Sequence, residues 1–277
     1  MIGVLLAFFG SLFEEASTAI GKAEAEQKKE TIYSMAFFSL FWGVVWFSGI
    51  ILIKQQFAFS AASLPSFIAR AIFEIILIHM STIAIVQSER SVFGFIRTGT
   101  MPLLLAVDFL LGYQIKPIHL IGIGVIVMTL FAVFANHGIK KTGLRFVVLS
   151  TLFPVVTISL YKYNITHFNS VEAEQFLMSA VLLSYTFFSA MKFGRENPLK
   201  LITRPIFFFQ SFSHGIGSAV VSFAYLYAPA SIITSAKRSS AVLWSLLSGN
   251  VYFHERNLLL KLALGVFLAF GLALLAL

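Results

Sequence analysis

The chain has 277 residues, of which 58% are apolar and only 12% charged, with a mean hydropathy of +0.88. Soluble domains hold about 25% charged residues, so this balance excludes a soluble globular fold and indicates a polytopic membrane protein. The net charge of +8 then reads as loop charge facing lipid head groups rather than as a nucleic-acid surface, and the absence of Cys excludes disulfides, thiolate metal sites and thiol catalysis.

Apolar windows between polar punctuation predict ten spans, at 2–20, 32–53, 64–86, 91–111, 117–136, 144–163, 174–193, 205–227, 229–251 and 258–277. The first has no basic leader and is interrupted by Glu14 and Glu15, so it is read as a span and not as a signal peptide. Its residues Glu14, Ser17, Thr18 and Gly21 form one polar, small-residue face, closed by Lys22. The third span carries Arg70 and Glu74 at i, i+4, a spacing at which they pair, together with His79 and Thr82. Arg97 and Thr98 stand in the fourth. In the eighth, Gln210, Ser213, His214 and Gly217 form a hydrophilic stripe on a Phe-rich helix. A lone His there is read either as a satisfied bundle hydrogen bond or as a group lining a polar cavity and able to relay protons.

The ninth span holds Lys237 and Arg238 side by side, and each intramembrane charge costs about 2.5–3.5 kcal/mol on insertion scales. Thr234, Lys237, Arg238 and Ala241 share one face. Two readings stand. The cations are structural salt-bridge partners of Glu14, Glu15, Glu74 or Asp108, or they form an anion site facing a wet cavity, where an Arg fork and a Lys point charge suit carboxylate or phosphate.

The halves repeat. Lys22 and Lys162 are 140 residues apart, as are Arg97 and Lys237, and Glu74 and His214; Gly122 and Gly265 are 143 apart. Five helices per repeat force the second copy upside down relative to the first. The fold expected is therefore an all-α membrane protein, with ten transmembrane helices in two inverted five-helix repeats, 1–138 and 141–277. In transporters of that topology the substrate site lies near the midplane.

The segments "RSVFGFIRTGTMPLLLAVDFLLGYQIKPIHLIGIGVIVMTLF" and "YLYAPASIITSAKRSSAVLWSLLSGNVYFHERNLLLKLALGVFLAFGLALL" resemble the EamA-type repeats of the drug/metabolite transporter superfamily. Pro102 fits the pattern's Pro, while Ala241 stands near the matching place in the second half; Glu255 fits the turn Glu, where the first half has Tyr113. The Lys-Arg pair resembles the sugar-phosphate and triose-phosphate translocator branch. That likeness implies a phosphate held by Lys237 and Arg238 with Arg97, or Thr98 one residue on, and polar contributions from His79, Thr82 and His214, beside Gln210 of the same stripe. "FEEASTAIGK" resembles the first helix of the small multidrug resistance proteins, which implies that Glu14 binds proton and cation in turn; its other reading is a counter-ion for Lys237 or Arg238.

The function expected is an alternating-access transporter of a small polar metabolite, an organic anion by preference. The alternatives are a proton-coupled exporter of amines, drugs or amino acids centred on Glu14, and a non-transport membrane protein such as a lipid flippase or scaffold. The expected partners are membrane lipids and a small-molecule substrate, with monomer and homodimer both open and no cofactor or metal. An enzyme is not expected: "HE" at 254–255 lacks a second metal-binding His, and no phosphate-cradling Gly loop occurs. About 13 Lys and Arg fall after odd-numbered spans and about 4 after even-numbered ones, which places both termini on the non-cytoplasmic side, of a bacterial inner membrane by preference.

Overall fold

The computed structural model describes residues 1–87, 97, 99–135, 144–253 and 258–277. Thr98, Glu255, the boundary between the expected repeats and most of the first third of the expected fourth span lie outside the described residues. Among the described residues the chain is all-helical, with eleven α-helices and no strand. They are α1 (Ile2–Glu26), α2 (Ile32–Lys54), α3 (Leu64–Gln87), α4 (Thr100–Leu110), α5 (Pro117–Ala135) and α6 (Leu144–His167). After them come α7 (Val171–Ser189), the four-residue α8 (Pro198–Leu201), α9 (Pro205–Ala224), α10 (Ala230–Phe253) and α11 (Leu258–Ala276). Six of these, α1, α2, α3, α6, α7 and α9, are long and apolar enough to cross a membrane; Thr100–Leu110, Pro117–Thr129 and Gly265–Leu275 are shorter apolar stretches. Helices suit that setting because each span satisfies its own backbone polar groups.

Local chemistry sets the ends. Thr31 and Ser170 cap α2 and α7, their hydroxyls accepting from the Ser34 and Ala173 amides. Pro198 and Pro205 stand in the first turns of α8 and α9, where the missing N–H costs nothing. After α4 the chain turns at Gly112, whose φ of +78° suits a residue without Cβ. The sequence places the seventh span at 174–193; the helix starts three residues earlier at its Ser170 cap and runs on into a π-helical turn, Ala190–Gly194. The helix absent from the sequence-based set is α8, too short to bear a periodic pattern.

The bundle has two ends. At one, Lys116 Nζ donates to the Leu277 carbonyl at 3.2 Å and the Ser170 amide to the Ala58 carbonyl at 2.8 Å, gathering the C-terminus with the turns after α2, α4 and α6. At the other, the turn between α1 and α2 meets the segment between α7 and α8 through Glu196. Across the bundle α1 packs on α9 and α10, α2 on α7 and α9, α3 on α6, and α5 on α11. Leu110, Phe188 and Val266 point outward, while Met101, Leu104, Ile126 and Leu268 fill the interior. Interior hydroxyls bond back to carbonyls of their own helix, as Thr129, Thr151, Thr186 and Ser240 do, so they need no partner from lipid.

Candidate functional site

The site is built where the polar face of α1 meets the stripe of α9. The two helices run antiparallel on small residues. A Cβ at Gly10 would lie 3.0 Å from the Gly217 carbonyl, and one at Gly217 would lie 2.6 Å from the Gly10 carbonyl and 2.9 Å from the Glu14 amide. At Gly21, a Cβ would lie 2.6 Å from Gln210 Nε2. Glycine at these positions allows the backbones to approach, as small residues do between membrane helices. The other side of α9 repeats the device: a Cβ at Gly215 would lie 2.8 Å from the Trp42 backbone of α2.

Into the seam from α10 comes Lys237. Its Nζ lies 2.7 Å from Glu14 Oε2 and donates to Oε1 at 2.9 Å, a two-oxygen ion pair about two turns into α10 and midway along α1. Its side chain keeps 32% exposure and that of Glu14 16%, so neither partner is fully enclosed. His214 lies within electrostatic range of both. Arg238 neighbours Arg97, Tyr225 and Glu14, and its Nε is buried without a hydrogen bond. Arg97 also lies within range of Glu14 and Glu15. Among the described residues, three cations thus converge on two carboxylates, with a histidine beside them.

The remaining predicted residues take other positions. His79 Nε2 is 2.7 Å from Tyr185 Oη, with the Tyr33 ring edge-on at 5.6 Å. Thr82 donates to the Ile78 and His79 carbonyls of its own helix. Gln210 donates to Glu30 Oε1 at 3.1 Å. Glu74 lies 3.6 Å from Arg70 Nε, as the i, i+4 spacing predicts. Asp108 is not a partner of the Lys-Arg pair. Its Oδ2 accepts from the Ser231 amide at 2.7 Å and caps the start of α10, where a carboxylate is favoured by the helix dipole.

Two features escape sequence reasoning. Tyr225 and Thr234 share a hydrogen bond of 3.0 Å beside Arg238, although Tyr225 belongs to a turn. Arg70 is the hub of a buried network. Its Nη1 donates to Glu174 Oε1 at 2.8 Å and its Nη2 to Gln175 at 3.2 Å, and its guanidinium lies 4.6 Å over the Tyr161 ring. Glu174 accepts further bonds from Asn164 and Asn169.

The fold has a solved counterpart. A protein known from its crystal structure superposes with a TM-score of 0.68 over 99% of this chain and 98% of that one, at 11% identity, a likeness that speaks for the fold alone. No protein-family model and no curated protein matches the chain.

Proposed function

We propose that this chain is an alternating-access carrier of a small organic anion, built as ten membrane helices in two inverted five-helix repeats of the drug/metabolite transporter type. The observation that carries this reading is the convergence of Lys237, Arg238 and Arg97 on Glu14 and Glu15, which, among the described residues, concentrates positive charge in the middle of an apolar bundle. Such a concentration is tolerable where water or a bound anion compensates it. What supports the repeats is the pairing of helices. Exchanging α1–α5 for α6, α7, α9, α10 and α11 turns the α1–α9 contact into α6–α3, and α1–α10 into α6–α4. The same exchange leaves the α2–α7 and α5–α11 contacts unchanged, and all of these pairs are in contact. The charge bias of the turns supports non-cytoplasmic termini in a cell membrane, the bacterial inner membrane by preference.

In this mechanism the substrate anion competes with Glu14 for Lys237 and engages the Arg238 fork. Once the cavity closes and dries, only the loaded site is electrically balanced, so empty return is disfavoured and the carrier exchanges one anion for another. A second reading rests on the Glu14–Lys237 pair itself. There Glu14 alternates between proton and cation, and the protein exports amines.

Thermal-shift measurements on purified protein separate the two. Carboxylated or phosphorylated metabolites should raise the unfolding temperature of the wild type, a ligand at 100 times its Kd contributing about 2.7 kcal/mol, and should lose that effect in Lys237→Gln. Stabilisation by amines that survives Lys237→Gln and vanishes in Glu14→Gln selects the second reading.

A further inference from the structure

At the end of the bundle opposite the chain termini, Glu30 occupies the turn between α1 and α2 yet is only 4% exposed. Among the described residues, the hydrogen bond to its carboxylate comes from Gln210 Nε2 on α9, at 3.1 Å to Oε1. Glu30 Oε2 and Gln210 Oε1 are both buried without a partner. Both orphaned atoms are acceptors, and they belong to two side chains already joined to each other. An ionised carboxylate has no donor to offer, whereas a carboxylic acid has one. A single proton therefore supplies the missing donor on this contact and removes a buried charge as well.

The surroundings favour that proton. Among the described residues, the charges in whose field Glu30 sits are Glu24 on α1 and Glu196 before α8, both negative. Lys29 of the same turn is engaged by Glu24 at 3.5 Å, and Lys22 stands one residue beyond Gly21 on α1. Glu196 Oε2 is occupied by the Thr31 amide, the Thr31 hydroxyl and the Ser34 hydroxyl, at 3.0, 2.9 and 2.7 Å. The facing group from α9 is the neutral amide of Gln210, whose Nε2 would lie 2.6 Å from a Cβ at Gly21. Burial first, with Glu196 and Glu24 adding to it, pushes the Glu30 carboxyl up to about 8.

We propose that Glu30 is a proton-binding site, holding one proton in the closed seam between the α1–α2 turn and Gln210 of α9. Separation of the turn from α9 admits water to the carboxyl and releases the proton. Where the chain works as the carrier proposed above, opening of this end is then linked to proton release, so exchange depends on the pH at this end.

The test uses purified protein in detergent without substrate, so its outcome is independent of the carrier reading. A native carboxyl that holds its proton up to about pH 8, against about 4.5 when unfolded, loses stability as pH rises through that window and none beyond it. The unfolding equilibrium of the wild type relative to Glu30→Gln should shift about tenfold per pH unit between pH 5 and 8, with Glu30→Gln the more stable at pH 9. Infrared spectra of the wild type should carry a carboxylic-acid band that disappears near pH 8 and is absent from Glu30→Gln. Parallel stability curves for the two proteins, or a Glu30 carboxyl already ionised at pH 6, would overturn the proposal.

Discussion

Gly217 and Gly124 show how the same residue serves two purposes in one bundle. A Cβ at Gly217 would meet backbone on α1 at 2.6 and 2.9 Å, whereas at Gly124 nothing lies within 4 Å. Gly217→Ala should therefore force α1 and α9 apart and cost roughly 1–3 kcal/mol, as overpacking does. Gly124→Ala should be neutral or stabilise by up to about 1 kcal/mol, because it removes only glycine's conformational entropy from a helix. Thermal unfolding of both variants in detergent measures the contrast. The sequence marks Gly217 and Gly21 as parts of polar stripes but not as contact points. Periodicity tells which residues share a face, whereas the helix that covers the face depends on long-range packing. The same limit applies to Lys237. Its spacing offers Glu14, Glu15, Glu74 and Asp108 as partners; only geometry selects Glu14 and sends Asp108 to the start of α10.

Between elements, a buried polar tie outside the central site is the Arg70 network, which joins α3 to α6 and α7 near the end that carries the C-terminus. Glu174 is wholly buried and has both carboxylate oxygens occupied. Removing one member of a buried ion pair leaves an uncompensated charge, at a cost of about 3–5 kcal/mol. Arg70→Met should show a loss of that order, and Arg70→Met with Glu174→Met should recover most of it. A double-mutant cycle on thermal stability checks this, and additive losses would show that the two groups act separately. Of this network, the sequence shows only the Arg70–Glu74 pair at 3.6 Å, because i, i+4 spacing is local. Glu174, 104 residues from Arg70, is the first residue of the expected seventh span, and nothing local to it names Arg70 as its partner. Boundaries are more legible than partners. α2, α3 and α9 begin at the expected residues because Thr31, Pro65 and Pro205 act through local geometry.

For the molecule as a whole, the membrane character follows from composition, since long apolar runs have few other uses, and six helices of spanning length agree with it. The repeats and the direction of insertion rest on subtler signals, an offset of 140 residues and the distribution of Lys and Arg. The proposed role of the intramembrane cations is that Lys237 and Arg238 serve an anion that moves, rather than a salt bridge that holds the bundle together. Exchange of labelled organic anions, phosphorylated ones included, into liposomes preloaded with unlabelled anion tests this most directly, with wild type, Lys237→Gln and Arg238→Gln compared at equal reconstitution. An anion carrier should show robust exchange in the wild type and its loss in both variants, each still folded in the membrane. Failure of both variants to fold, rescued by adding Glu14→Gln, would contradict that role and show the pair to be a structural salt bridge.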